Sequence, residues 1–226
     1  MISRTPQRPR RVHWLDRWTR YFFLVVGVLA LGYVAYVLLD TELFQTYENW
    51  RFQRALKEAR ESKSSQPAAR PSLPPVVVDP ESVRRERLRA AGPEGSPLGR
   101  IEISTLGLGA IILEGVEPRT LRRAVGHIPG TALPGQPGNV ALAGHRDTFF
   151  RSLRDIRKDT EITLTTLHGS YRYRVDSIAL VEPQAVEVLA DSPGATLTLV
   201  TCYPFDFIGP APKRFIVRAH QIPGSG

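Results

Sequence analysis

Three side chains in this sequence can do chemistry together: a thiol, an imidazole and a guanidinium. Cys202 is the single cysteine in 226 residues. It ends the alternating run Thr196-Leu197-Thr198-Leu199-Val200-Thr201 and precedes Tyr203-Pro204. A strand end followed by a turn is where a rigid sheet presents a reactive group. His145 also follows an apolar run, in Asn139-Val140-Ala141-Leu142-Ala143-Gly144-His145-Arg146-Asp147, and Arg214 opens the run Arg214-Phe215-Ile216-Val217-Arg218. The thiolate is the nucleophilic form of cysteine, and a nearby imidazolium or guanidinium favours it. Spacing alone leaves two readings open. One is a cysteine–histidine nucleophilic pair; the other is a cysteine that only fills an apolar strand. A lone cysteine excludes an intramolecular disulfide scaffold and a cysteine-rich zinc site.

The elements that must position these residues are short. Ile101-Glu102-Ile103, Ala110 to Leu113, Ile162 to Thr165 and Tyr171 to Val175 read as strands, with the runs before Cys202 and after Arg214. They are rich in β-branched residues and separated by Gly, Pro and Asp, as in a small barrel or sandwich. Pro118 to Val125 and Thr148 to Ile156 read as short helices, the latter spacing Phe149, Phe150, Leu153 and Ile156 along one face. Among the other histidines, His127 reads as structural, His168 as part of an exposed hairpin turn, and His220 as uninvolved. Asp147 reads as a helix cap or as a partner of His145.

Charge divides the chain. The formal net charge is +8, but residues 1–20 alone carry six Arg and one Asp. Residues 92–226 carry fourteen positive and thirteen negative charges, so the larger region offers no basic stripe for nucleic acid. Tyr21 to Leu39 has neither charge nor proline over nineteen residues, nearly enough for a hydrocarbon core of about 30 Å. Arginines before it and Asp40, Glu42 and Glu48 after it put residues 1–20 in the cytoplasm and the rest outside. A cleaved signal peptide is the rival; its apolar stretch would be shorter and end at small residues. The expected organisation is a basic tail at 1–20, a single-pass anchor at 21–39, a juxtamembrane helix and Pro-rich linker at 40–98, and a catalytic domain at 99–226. Glu42 to Glu61 reads as a solvated stalk or a partner-binding helix. Seven prolines between 62 and 98 read as an extended spacer, with Val83 to Ala90 locally helical.

Three blocks carry a resemblance to a known family. Thr198-Leu199-Val200-Thr201-Cys202 matches the T-L-x-T-C motif of the sortases, and Arg214 follows twelve residues later. Gly126-His127-Ile128-Pro129-Gly130-Thr131-Ala132-Leu133-Pro134-Gly135 and Gly144-His145-Arg146-Asp147-Thr148-Phe149-Phe150 complete the pattern. Residues 99–220 resemble class D sortases. Lys158-Asp159-Thr160 departs where related sequences often have a Gly-Asp turn.

The resemblance implies a closed, mostly antiparallel β-barrel of about eight strands in a bacterial membrane-anchored cysteine transpeptidase. Its members cut a Leu-Pro-x-Thr-Gly-like signal after Thr and pass the acyl group to an amine on a cell-wall precursor or protein. Carried over, Cys202 is the nucleophile, His145 the general acid/base and Arg214 the cationic stabiliser, with no cofactor or metal. Thr201, Val188 and Leu189 are candidates for the substrate groove; Val188 and Leu189 read equally well as core. The partners implied are secreted proteins bearing the signal, the amine acceptor and the membrane. Other cysteine enzymes fit less well. Papain-like proteases place Cys before His, and L,D-transpeptidases carry a His-Gly-Cys-type motif. A tethered binding module without catalysis is the remaining alternative.

Overall fold

The computed structural model describes residues 12–63 and 79–223. Most of the expected basic tail and the centre of the expected spacer lie outside the described residues. The chain divides into two compact units, Met1–Leu43 and Phe44–Gly226. Helix α1 runs from Val12 to Lys63. Within it, Arg17–Ala35 is long and apolar enough to cross a membrane, and none of that window is buried.

In the second unit, the stretch of α1 from Gln45 to Leu56 lies against protein. Phe52 is buried with Ile111, Leu113 and Ala124, and Leu56 packs beside them. Gln45 Oε1 accepts from the Ile111 amide at 3.2 Å, and its Nε2 donates to the Arg123 carbonyl. The segment expected as a stalk or a partner-binding helix is thus held by its own chain. Helix α2, Pro80–Ala91, begins inside the Pro-rich stretch. Asp79 caps it by accepting from the Glu81 amide, and proline occupies the first turn, where its missing N–H costs nothing.

Eight strands close a barrel: β1 Pro97–Ile103, β2 Leu108–Glu114, β3 Val125–His127, β4 Gly138–Ala143, β5 Glu161–Thr165, β6 Ser170–Val181, β7 Ala195–Tyr203 and β8 Lys213–Gln221. Their order around the barrel is β1-β2-β3-β4-β7-β8-β6-β5. The β2/β3 and β4/β7 pairs are parallel and the others antiparallel. The barrel expected from the resemblance is therefore present. Strand β4, between β3 and β7, is covered on both faces, which suits the continuous apolar run Val140-Ala141-Leu142-Ala143. Strand β5 alternates buried with partly exposed residues, as a one-faced strand should.

The short helix α3, Pro118–Arg123, leads into β3. After His145 the chain makes turns and then a 3-10 helix, Arg151–Asp155, within the stretch expected to hold a short helix. Phe150, Leu153 and Ile156 are buried at a spacing of three, the period of a 3-10 helix. The core joins Ile101, Ile103, Leu142, Leu164, Leu197, Leu199, Val217 and these three residues.

Candidate active site

Strand register brings the three candidate residues to one end of β4, β7 and β8. Cys202 pairs directly with Arg214 across the antiparallel β7/β8 ladder. Directly opposed side chains share a face, with Cβ atoms about 4.5–5.5 Å apart. Leu197, Leu199, Val217 and Ala219 belong to the core, so alternation turns Cys202 and Arg214 to the outer face. In the parallel β4/β7 pair, Ala143 lies beside Val200. The Gly144 amide donates to the Val200 carbonyl at 3.2 Å, carrying the same register toward His145 and Cys202.

Two local features hold His145 there. Its carbonyl accepts from the amides of Thr148 and Phe150, at 3.4 and 3.1 Å. Gly144 lies under the Phe150 ring, and a Cβ at that position would sit 2.8 Å from ring carbons. Phe150 is fully buried and cannot yield cheaply, so glycine is required before His145. His145, Cys202 and Arg214 are all half-buried. Arg214 Nη1 donates to the Ala211 and Lys213 carbonyls, at 3.3 and 3.2 Å, which keeps this guanidinium at the loop base.

The expected groove residues take different places. Thr201 faces the core side, buried, and its hydroxyl donates to the Gly144 carbonyl at 2.7 Å. It ties the Cys202 strand to the His145 segment. Val188 and Leu189 lie in a 3-10 helix, Val186–Leu189, between β6 and β7. The Val188 carbonyl accepts from Asn139 Nδ2 at 3.1 Å. Leu189 lines a cavity of about 360 Å³ with Arg84, Arg87 and Asn139.

Sequence reasoning missed Asn139 and Glu114. Asn139 is buried, and its Nδ2 donates to the Val188 and Ala190 carbonyls. Its Oδ1 accepts from Thr196 and Thr198, at 3.3 and 2.8 Å. Glu114 is buried beside His127, with Oε2 at 2.6 Å from Nδ1. Thr131 Oγ1 and the Ala132 carbonyl meet His127 Nε2, each at 3.0 Å. His127 is thus structural, buried beneath the β3–β4 connection. His168 is exposed at the β5/β6 turn, and His220 meets Asp176 at 2.6 Å on the surface.

The sequence and fold have known counterparts. A family model described as the sortase domain matches residues 101–222, more than half of the chain. Sortase D of Bacillus subtilis is 26% identical over 89% of this chain and 96% of its own length. A Clostridium perfringens sortase D5 transpeptidase structure superposes with a TM-score of 0.55 at 27% identity, covering 76% of this chain and 98% of that one. Streptomyces coelicolor sortase E1, solved with a tripeptide in the active site, gives 0.53 at 29%, covering 57% and 89%. The matched stretch includes His145, Cys202 and Arg214 and most of the barrel, and on the ground of that match the chain belongs to the sortase family.

Proposed function

We propose that this protein is a membrane-anchored transpeptidase acting through a Cys202 thioester on a Leu-Pro-x-Thr-Gly-like signal. The observation that carries the reading is the pairing of Cys202 with Arg214 on the outer face, with His145 at the end of the adjoining β4. The Cys202 thiolate attacks the Thr carbonyl carbon. Arg214, permanently charged and carrying a planar donor fork, stabilises the oxyanion that forms. His145 gives its proton to the departing Gly nitrogen as the C–N bond breaks. An acceptor amine then attacks the thioester and loses a proton to His145. Cys202 leaves as thiolate, and a new amide replaces the old one. One amide is exchanged for another, so the sum needs no ATP.

An extended peptide has a small-sided floor beside Cys202 in the partly exposed Ala143, at the end of β4, and Val200 of β7. The tripeptide bound by the Streptomyces relative supports a peptide substrate. The apolar window Arg17–Ala35 and the arginines at the N-terminus support a single-pass anchor with the barrel outside the cytoplasm.

The test uses the full chain in detergent micelles with a Leu-Pro-x-Thr-x peptide library, with and without an amine, read by mass spectrometry. A covalent adduct on Cys202 that transfers to the amine supports the reading. Cys202→Ala should give neither adduct nor transfer. A folded protein with an accessible thiol and no adduct from any peptide would overturn it.

A further inference from the structure

We propose that Arg146 is a positioning residue of this reaction, a strut joining the His145 segment to the loop between Cys202 and Arg214. The inference rests on the roles given above to those three residues. Arg146 Nη1 donates to the Pro204 carbonyl at 2.9 Å, and Nη2 donates to the Gly209 carbonyl at 3.0 Å. Its guanidinium lies over the Phe207 ring, 5.8 Å from the centroid. One planar fork therefore holds two carbonyls five residues apart and the aromatic residue between them, an arrangement open to arginine and not to lysine.

The loop depends on this contact. Its base is packed, since the Phe205 and Phe215 rings meet edge to face at 5.2 Å. Its tip is not packed: Ile208 is 98% exposed and Phe207 46%. Apolar burial cannot hold such a tip, so polar contacts must. Arg214 Nη1 is bound to carbonyls at the far end of the same loop, Ala211 and Lys213. A shift of the loop therefore disturbs the Arg214 anchor. Arg146 is the next residue after His145, so the strut links the base to both other members of the site. Arg154 also touches the loop, through an ion pair to Asp206 at 2.8 Å whose carboxylate is mostly exposed and by lying 5.6 Å from the centroid of the Phe205 ring, but it bonds no loop carbonyl and Phe205 is already packed at the base.

The test compares Arg146→Ala, Arg146→Lys, Phe207→Ala and Arg154→Ala in the full chain, checked for folding by thermal melting. Iodoacetamide alkylation of Cys202 at neutral pH needs no sorting peptide, and the single cysteine makes it specific. Peptide transpeptidation gives kcat and KM. For Arg146→Ala, alkylation should slow about tenfold and kcat fall about ten- to a hundredfold, with KM within about twofold. Arg146→Lys should recover only a small part, Phe207→Ala should fall between, and Arg154→Ala should stay within about twofold of wild type. Wild-type alkylation and kcat in Arg146→Ala would overturn the proposal, as would full recovery in Arg146→Lys or an equal loss in Arg154→Ala. If Arg146→Ala does not fold, Arg146→Lys and Phe207→Ala decide by the same criteria. If wild type acylates with no peptide while alkylation follows the expected order, the transpeptidase reading fails and the strut stands.

Discussion

Two loops flank the Cys202 strand, and they are held in opposite ways. The loop before β7 is held from beneath, by the buried amide of Asn139 bonded to the Val188 and Ala190 carbonyls. The loop after β7 is held from the side, by the guanidinium groups of Arg146 and Arg154 near the surface. A buried neutral hub must have all its partners or lose heavily, because water cannot replace them. A clamp near the surface is weaker and able to open; salt screens its ion pair, Arg154–Asp206, far more than the Arg146 bonds to neutral carbonyls. The difference is one of attachment: the loop before β7 is tied to a buried side chain, and the loop after it is held only near the surface.

The sharpest way to break this comparison is to remove the hub. Asn139→Ala leaves the Thr198 hydroxyl and two loop carbonyls without their partner and takes one of two from the Thr196 hydroxyl. The expected cost is about 2–4 kcal/mol in denaturant unfolding, with loss of exchange protection near Val188. Asn139→Asp should be almost as costly, since a carboxylate cannot donate to the carbonyls. A loss below about 0.5 kcal/mol for both variants would show that the loop is held by something else.

The outer tie of the same loop should matter less. Asp191 Oδ1 accepts from the Asn139 backbone N–H and Oδ2 from Arg87 Nη2, each at 3.0 Å. Arg87 is mostly covered while Asp191 is about half exposed, so the pair lies between the two regimes. Asp191→Ala should cost about 1 kcal/mol, measured by the same unfolding experiment.

How much of this was legible in the sequence follows from where the partners lie. Strands β1, β5, β7 and β8 announce themselves by alternation. Strand β6 shows alternation only at Tyr171 to Val175, because the register shifts between Val175 and Ser177 and the later residues are largely exposed. Strand β3 is three residues long and contains a glycine, too short for any pattern. The burial of Phe52 was hidden because its neighbours Ile111 and Ala124 lie about sixty and seventy residues further along. His145, Cys202 and Arg214 could be singled out by type and motif. Arg146 and Asn139 stand in the same block as His145, yet their partners are 49 to 63 residues away. Glu114 and His127 meet only through the parallel β2/β3 register, which no local pattern reveals.

Salt separates the two loops directly. Raising ionic strength from about 0.05 to 0.5 M shortens the screening length several-fold. Exchange should quicken modestly around Asp206, where the Arg154 ion pair is screened, and stay nearly constant at 186–190. Equal responses in both loops would remove the distinction between hub and clamp.

The smallest expected effect comes from charges that resemble the clamp but sit on paired strands. Glu161 on β5 accepts from Arg172 and Arg174 on β6, and these bonds hold its carboxyl below the usual range, that to Arg172 most strongly. A carboxyl so lowered stabilises the fold above its unfolded value, about pH 4.3, and loses that contribution as pH falls through the lower folded value. Wild type should therefore exceed Glu161→Gln slightly in melting temperature near neutrality, and the gap should close in acid. The β5/β6 ladder already holds these strands without help from the ion pairs. Transpeptidation kinetics should be unchanged in the variant. Arginine–carbonyl contacts of similar strength should have far larger consequences at residues 204–209, because no ladder holds that loop in place.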